Sequence, residues 1–198
     1  MRQVRLVLWI LTALALAGFA FLLLRPPYQG NSASTQITGA SFGGPFTLVG
    51  SDKKPFSSSR LAGKPYAIFF GFTHCPDVCP TTLARLVKLR KELGKGEDSF
   101  NIVFVSVDPE RDGPEQVATY ETAFGGPVIA LTGSPAQVDR VKKQYGIFSQ
   151  QVPLEGGSYT VDHTATALLF DRQSEFVATI SPVEQDAPVL DKLERITS

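Results

Sequence analysis

Cysteine and histidine are scarce in this chain of 198 residues, which has two of each. Two cysteines cannot make a disulfide-stapled scaffold. Both stand in one short stretch, which suits a reactive or metal-binding pair. Net charge is also lacking, since 19 basic residues face 19 acidic ones. With no basic surplus there is no electrostatic footprint for nucleic acid, and none is expected as a partner. No internal repeat or low-complexity tract is present. The acidic residues between 108 and 115 invite a calcium or magnesium reading, but the hard-cation loop pattern is missing. Acid is absent altogether from the first 25 residues, which hold Arg2, Arg5 and Arg25. With those three set aside, 16 basic residues face 19 acids, about −3 over residues 26–198.

What the N-terminus does have is an uncharged apolar run, Leu6 to Leu24. As a helix it spans roughly 28 Å, close to the hydrocarbon core of a bilayer. Arg2 and Arg5 before it predict a cytoplasmic N-terminus and an exported remainder. Residues 1–25 are therefore read as a transmembrane anchor. A cleaved signal peptide is the rival, with Ala15-Leu16-Ala17 as its site, but the apolar run continues through Phe19 to Leu24. No cysteine stands there for a lipoprotein signal. Residues 26–41, polar with Gly and Pro, read as a flexible tether. Residues 42–198 are long enough for one domain with a sizeable core.

The centre of that domain is Gly71-Phe72-Thr73-His74-Cys75-Pro76-Asp77-Val78-Cys79-Pro80. The apolar run Tyr66 to Phe70 leads in, and a helical pattern, Leu83, Leu86, Val87, Leu93, leads out. The stretch reads as strand, loop and helix start. If the segment between Cys75 and Cys79 is a first helical turn, both sulfurs share one face with Cα atoms roughly 6 Å apart. That separation allows a disulfide or a shared metal ion. A bridge closing so short a loop would restrain little of the unfolded chain. A helix N-terminus favours negative charge, so a lowered pKa is expected for at least one thiol. Pro76 suits a first turn, whereas Pro80 is expected to kink or delay the helix. His74 adjoins Cys75 and should diverge from the cysteine face, as a surface or supporting residue.

Elsewhere, Phe46 to Val49 and Pro55-Phe56 suggest an opening β-hairpin. Ile102 to Val107 is a second buried strand. Asp112 and Glu115 have capping-box spacing before a helix to about Phe124. Val128 to Leu131 is a strand, and Ser134 caps a helix through Tyr145. Phe148 to Val152 suggests an edge strand, and Leu154 to Ser158 a loop with two glycines. Ala165 to Phe170 and Phe176 to Ile180 form a hairpin, and Ala187 to Ile196 closes as a helix. Alternating strands and helices predict an α/β fold with a parallel core and helices on both sides.

The run Phe70 to Leu83, Phe-Gly-Phe-Thr-His-Cys-Pro-Asp-Val-Cys-Pro-Thr-Thr-Leu, closely resembles the copper-binding SCO/SenC family. Asp108-Pro109-Glu110-Arg111-Asp112-Gly113-Pro114-Glu115 resembles a second signature of that family, which often has Thr where Gly113 stands. The resemblance implies a thioredoxin-like fold, a membrane tether and a role in assembling the binuclear copper centre of cytochrome c oxidase. It implies that His163 replaces a cis-proline usual in thioredoxin-like proteins, and joins Cys75 and Cys79 as a third ligand. Two thiolates and one imidazole suit copper(I) and permit copper(II), whereas zinc usually wants a fourth ligand. Asp77 and Asp162 are candidates for support around the ligands, Asp162 as an acceptor orienting His163. The Gly156-Gly157 loop is expected to let His163 move.

The resemblance thus implies a metallochaperone rather than an enzyme. It would be anchored in a bacterial inner membrane with its head in the periplasm. Its recipient would be the copper-bearing subunit of the oxidase, and another periplasmic chaperone could be its donor. The alternative is a thiol–disulfide oxidoreductase using Cys75 and Cys79, although the spacing is not Cys-x-x-Cys. A peroxidase is a weaker third reading.

Overall fold

The computed structural model describes Trp9 and residues 42–198. Apart from Trp9, the anchor and tether expected at 1–25 and 26–41 lie outside the described residues. Among the described residues no helix is long and apolar enough to cross a membrane. The chain divides into two units, 1–39 and 40–198, and the second carries the architecture below.

Strands β1 (Thr47–Gly50) and β2 (Pro55–Ser57) form the opening hairpin. Strand β3 (Tyr66–Gly71) is buried at all six residues, as a central strand covered on both faces must be. Helix α1 (Val78–Glu92) follows, then β4 (Asn101–Ser106), α2 (Pro114–Glu121) and β5 (Ile129–Thr132). Helix α3 (Pro135–Gln144) starts with a full capping box between Ser134 and Gln137. Among the described residues, strands β6 (Ser149–Pro153) and β7 (Tyr159–His163) pair only with each other. Strands β8 (Ala167–Phe170) and β9 (Phe176–Ile180) precede α4 (Asp186–Ile196).

The main sheet has seven strands in the order β2-β1-β5-β4-β3-β8-β9. Its centre, β5-β4-β3, is parallel, and β1 and β8 join it antiparallel on either side. Parallel register sets Gly71 opposite Ser106, so the loops after β3 and β4 leave the sheet at one edge. Antiparallel pairing sets Ile68 opposite Leu168, which brings the segment entering β8 to that same edge. Three stretches distant in sequence thus meet there: 72–77, 107–113 and 159–166. Carboxyl ends of parallel strands are the usual place for a site in such sheets.

Several local expectations change. Cys75 lies in the loop before α1 rather than in a helical turn. Pro80 is the third residue of α1, where its missing N–H has no intrahelical partner to lose, so the helix begins undelayed. Asp112 does not cap α2, because the N-cap is Gly113, which has no side chain for the task. The edge strand expected at 148–152 belongs to the separate β6–β7 hairpin. The glycines 156 and 157, both at positive φ, shape that hairpin's tip. His163 is at its base, paired with Ser149, so the glycines form the turn rather than a hinge beside the histidine.

Candidate metal centre

Cys79 opens the buried stripe of α1, which continues through Thr82, Leu83, Leu86 and Arg90. That helical periodicity carries its sulfur inward. Burial is complete, and Gly71 makes room for it: a Cβ at Gly71 would stand 2.7 Å from Cys79 Sγ. Burial above all, with a smaller contribution from the neighbouring Cys75, pushes the Cys79 pKa upward. The lowered thiol pKa expected from the helix terminus is therefore reversed at Cys79. Cys75, half-buried, stands at the rim, and its sulfur accepts the Cys79 amide at 3.4 Å. Both cysteines are free thiols.

His163 reaches this pair from the other side. Its Nε2 lies 3.6 Å from Cys79 Sγ, across 84 residues of sequence. An ion about 2.3 Å from sulfur and about 2.0 Å from nitrogen would see that pair at about 110–115°, a trigonal to tetrahedral angle. Nδ1 lies 3.3 Å from the Val161 carbonyl. A carbonyl only accepts, so Nδ1 carries the proton and Nε2 presents its lone pair to the sulfur. Burial also lowers the His163 pKa, favouring the neutral ring that a metal requires. Phe72 meets the imidazole edge-on with ring centres 5.5 Å apart. Among the described residues no three His, Cys, Asp or Glu side chains already close around one point. The preformed element is the Cys79–His163 pair.

The two acids singled out for support sit elsewhere. Successive residues of a strand face opposite sides, so Asp162 is exposed while His163 turns inward. The acceptor orienting His163 is the Val161 carbonyl, not the Asp162 carboxylate. Asp77 is exposed at the start of α1 and accepts from the Thr81 hydroxyl at 3.1 Å.

The acidic loop after β4 is the part that sequence reasoning missed. Asp112 is fully buried and accepts from the Thr73 amide at 2.8 Å, the Thr73 hydroxyl at 2.6 Å and the Ser106 hydroxyl at 2.7 Å. It thereby fixes the loop carrying Cys75. Asp108, also buried, accepts from Arg111 and from the Tyr159 hydroxyl. The Arg111 guanidinium stacks 3.7 Å from the centre of the Tyr159 ring and donates to the Tyr159 carbonyl at 2.8 Å. Tyr159 begins the strand that ends in His163. One loop therefore holds both halves of the site, and its family-like Asp-Pro-Glu-Arg-Asp run was the available signal.

A family model described as SCO1/SenC matches residues 34–198. The chain belongs to the SCO1/SenC family. It is 38% identical over 142 residues to Protein SCO1 homolog 1, mitochondrial, of Arabidopsis thaliana, covering 70% of this chain and 42% of that protein. It is 34% identical to SCO2-like protein RP587 of Rickettsia prowazekii, covering 68% of this chain and 67% of that one. Among solved structures it resembles Bradyrhizobium japonicum ScoI with copper bound, with TM-score 0.72 and 39% identity over 79% of this chain and 99% of that one. Yeast Sco1 with copper bound gives TM-score 0.71 at 30% identity, over 78% and 87%. This SCO1/SenC protein thus has the mixed α/β, thioredoxin-like fold that its sequence implied.

Proposed function

We propose that this chain is a copper metallochaperone of cytochrome c oxidase assembly. Copper is its cargo, held by the thiolates of Cys75 and Cys79 and by Nε2 of His163. The observation that carries the reading is the approach of Cys79 Sγ and His163 Nε2 to 3.6 Å, with the histidine's lone pair turned to the sulfur. Two sulfurs and one imidazole make a soft, low-coordinate set that favours copper(I) and permits copper(II). The copper-bound relatives support the same cargo. Cys79 gives up its proton when the ion arrives, so binding is coupled to proton release. Cys75, nearer the surface, is the ligand through which a recipient's donor atoms first exchange. The recipient is the copper-bearing oxidase subunit, and the donor is another periplasmic chaperone. The apolar run from Leu6 to Leu24 anchors the chain in a bacterial inner membrane, with the head on the periplasmic side.

The test is copper titration of the full chain in detergent. One equivalent should bind, and Cys75→Ser, Cys79→Ser and His163→Ala should each weaken it. Undiminished binding in all three variants would refute the assignment.

A second reading is favoured by one contact, the Cys79 amide on Cys75 Sγ at 3.4 Å, which keeps two free cysteines together. The pair could reduce a disulfide in a recipient. Cys75 Sγ attacks a sulfur of that disulfide and frees one recipient thiol, leaving a mixed disulfide; Cys79 then attacks Cys75 Sγ and displaces the second recipient thiol. The recipient gains two electrons and two protons, and Cys75–Cys79 becomes the disulfide. Reduction should survive His163→Ala, whereas copper delivery should not.

A further inference from the structure

His163 is one of two histidines, and the other is held in a similar way. His74 Nδ1 lies 3.1 Å from the Thr73 hydroxyl and 3.4 Å from Asp112 Oδ1. The Thr73 hydroxyl proton is already committed to Asp112 Oδ1 at 2.6 Å, so it cannot also be donated to the ring. The proton between Thr73 and His74 must therefore come from Nδ1. In the neutral ring that leaves the lone pair on Nε2. The Thr73 hydroxyl, itself held by buried Asp112, fixes one ring nitrogen while the other stays available, as the outer partners of metal-binding histidines do. It was not foreseen for His74, whose sequence position suggested only a surface or supporting residue.

His74 also differs from its neighbours in exposure. Its side chain is 52% exposed, Cys75 is half-buried and Cys79 is fully buried. The donors therefore form a graded series from solvent to core. His74 and Cys75 are consecutive, with Cα atoms about 3.8 Å apart, so both leave the backbone at the same rim. His74 and Thr73 line an open cleft with Gln116, Thr119 and Tyr120 from α2. Glu115, at the same cleft, is occupied by Lys53 at 2.8 Å. No second acid is thus free to build a closed, tight site. A single imidazole binds an ion weakly, and a weak donor beside a strong site is suited to passing the ion on.

We propose that His74 is a transit ligand for copper, taking the ion through Nε2 as it enters or leaves Cys75. This rests on the copper reading above. The ion arrives bound to a donor atom of its carrier, His74 Nε2 adds to it, and Cys75 then replaces the carrier's atom. The ion's oxidation state does not change. Equilibrium affinity is set by the three inner donors, and His74 acts on the rate.

The experiment uses the full chain in detergent with 15N-labelled histidine and copper(I) supplied as its bicinchoninate complex. Before copper is added, both rings should show the Nδ1–H tautomer. With one equivalent the His163 Nε2 signal should shift. Beyond one equivalent the His74 Nε2 signal should shift as well, in fast exchange. In stopped flow, His74→Gln should slow copper uptake by about tenfold, the lower end of what disturbing a ligand's surroundings costs. Its equilibrium affinity should stay close to that of wild type. His74→Met, which restores a soft donor, should recover the rate with copper(I). A His74 Nε2 signal that never moves, or wild-type uptake by His74→Gln, overturns the proposal. If instead His163 is also unmoved by copper, the copper reading itself has failed. The ring spectra of the wild-type chain decide the matter even if a variant does not fold.

Discussion

Asp112 grips Thr73 with both oxygens, Oδ1 on the hydroxyl and Oδ2 on the amide, although 39 residues separate them. This contact ties the loop after β4 to the loop carrying Cys75. Asp112→Ala removes the acceptor for three donors and leaves the buried Ser106 hydroxyl without it. A loss of about 3 kcal/mol in urea unfolding is expected, because buried donors left unpaired are costly. Copper should also dissociate faster, since Cys75 loses its support. Unchanged stability and dissociation would show that the clamp is incidental.

Gly71 controls the place of Cys79. A methyl group there would meet Cys79 Sγ at 2.7 Å and the rings of Phe69 and Phe104 at 3.0 and 3.1 Å. None of these is a free chain end, so the sulfur or the helix must shift. Gly71→Ala should cost about 1–3 kcal/mol in stability, as overpacking does. It should lower copper affinity by a larger factor than a surface control such as Lys91→Ala. Competition with a copper(I) chelator measures the difference.

The hairpin brace is tested at Arg111. Its guanidinium is the cation beside buried Asp108 and the plate beneath Tyr159. Arg111→Met leaves Asp108 buried without its counter-charge, an expected loss of about 3–5 kcal/mol. Tyr159→Phe removes one hydrogen bond to Asp108, and about 1 kcal/mol is expected. In both variants hydrogen exchange at Val161 and His163 should accelerate, because β7 is held at its start by these contacts. Exchange rates equal to wild type would contradict the brace.

Two opposite shifts set the pH dependence of the copper-free chain. The folded His163 has a lowered pKa from burial, so on acidification the unfolded chain takes up the proton first. Stability from this group is present above about 6.5 and falls as pH drops toward the folded value. Cys79 has a raised pKa from burial, so on alkalinisation the unfolded chain loses its proton first. Stability from that group is present below about 8.5 and falls as pH rises. Urea midpoints should therefore pass through a plateau between these limits. Cys79→Ala should remove the alkaline decline it contributes, and His163→Ala the acidic one. Copper affinity should rise with pH, since Cys79 must lose its proton to bind, with at least about one proton released per ion near neutral pH.

Much of this was legible in the chain. The apolar runs at Tyr66–Phe70 and Ile102–Val107 announced central strands because both faces of such strands are buried. The spacing from Cys79 to Leu83 and Leu86 matched one face of a helix. Three features were not legible, each because a tertiary contact or a local geometry prevailed over spacing. Asp112 has cap spacing to Glu115, but Thr73 and Ser106 claim its oxygens. Asp162 adjoins His163, but strand alternation sends the two to opposite faces. Strand β7, Tyr-Thr-Val-Asp-His, carries little apolar signal because it pairs with β6 in a two-stranded sheet outside the main one. The anchor expected at 1–25 remains a reading of sequence.

The most direct measurement is X-ray absorption at the copper edge on the full chain loaded with one equivalent of copper(I). The expected shell has two sulfurs at about 2.3 Å and one imidazole nitrogen at about 2.0 Å. In His163→Ala the imidazole scattering should disappear while the sulfurs remain. A wild-type spectrum without imidazole, or one that His163→Ala leaves unchanged, would contradict a site built from Cys75, Cys79 and His163.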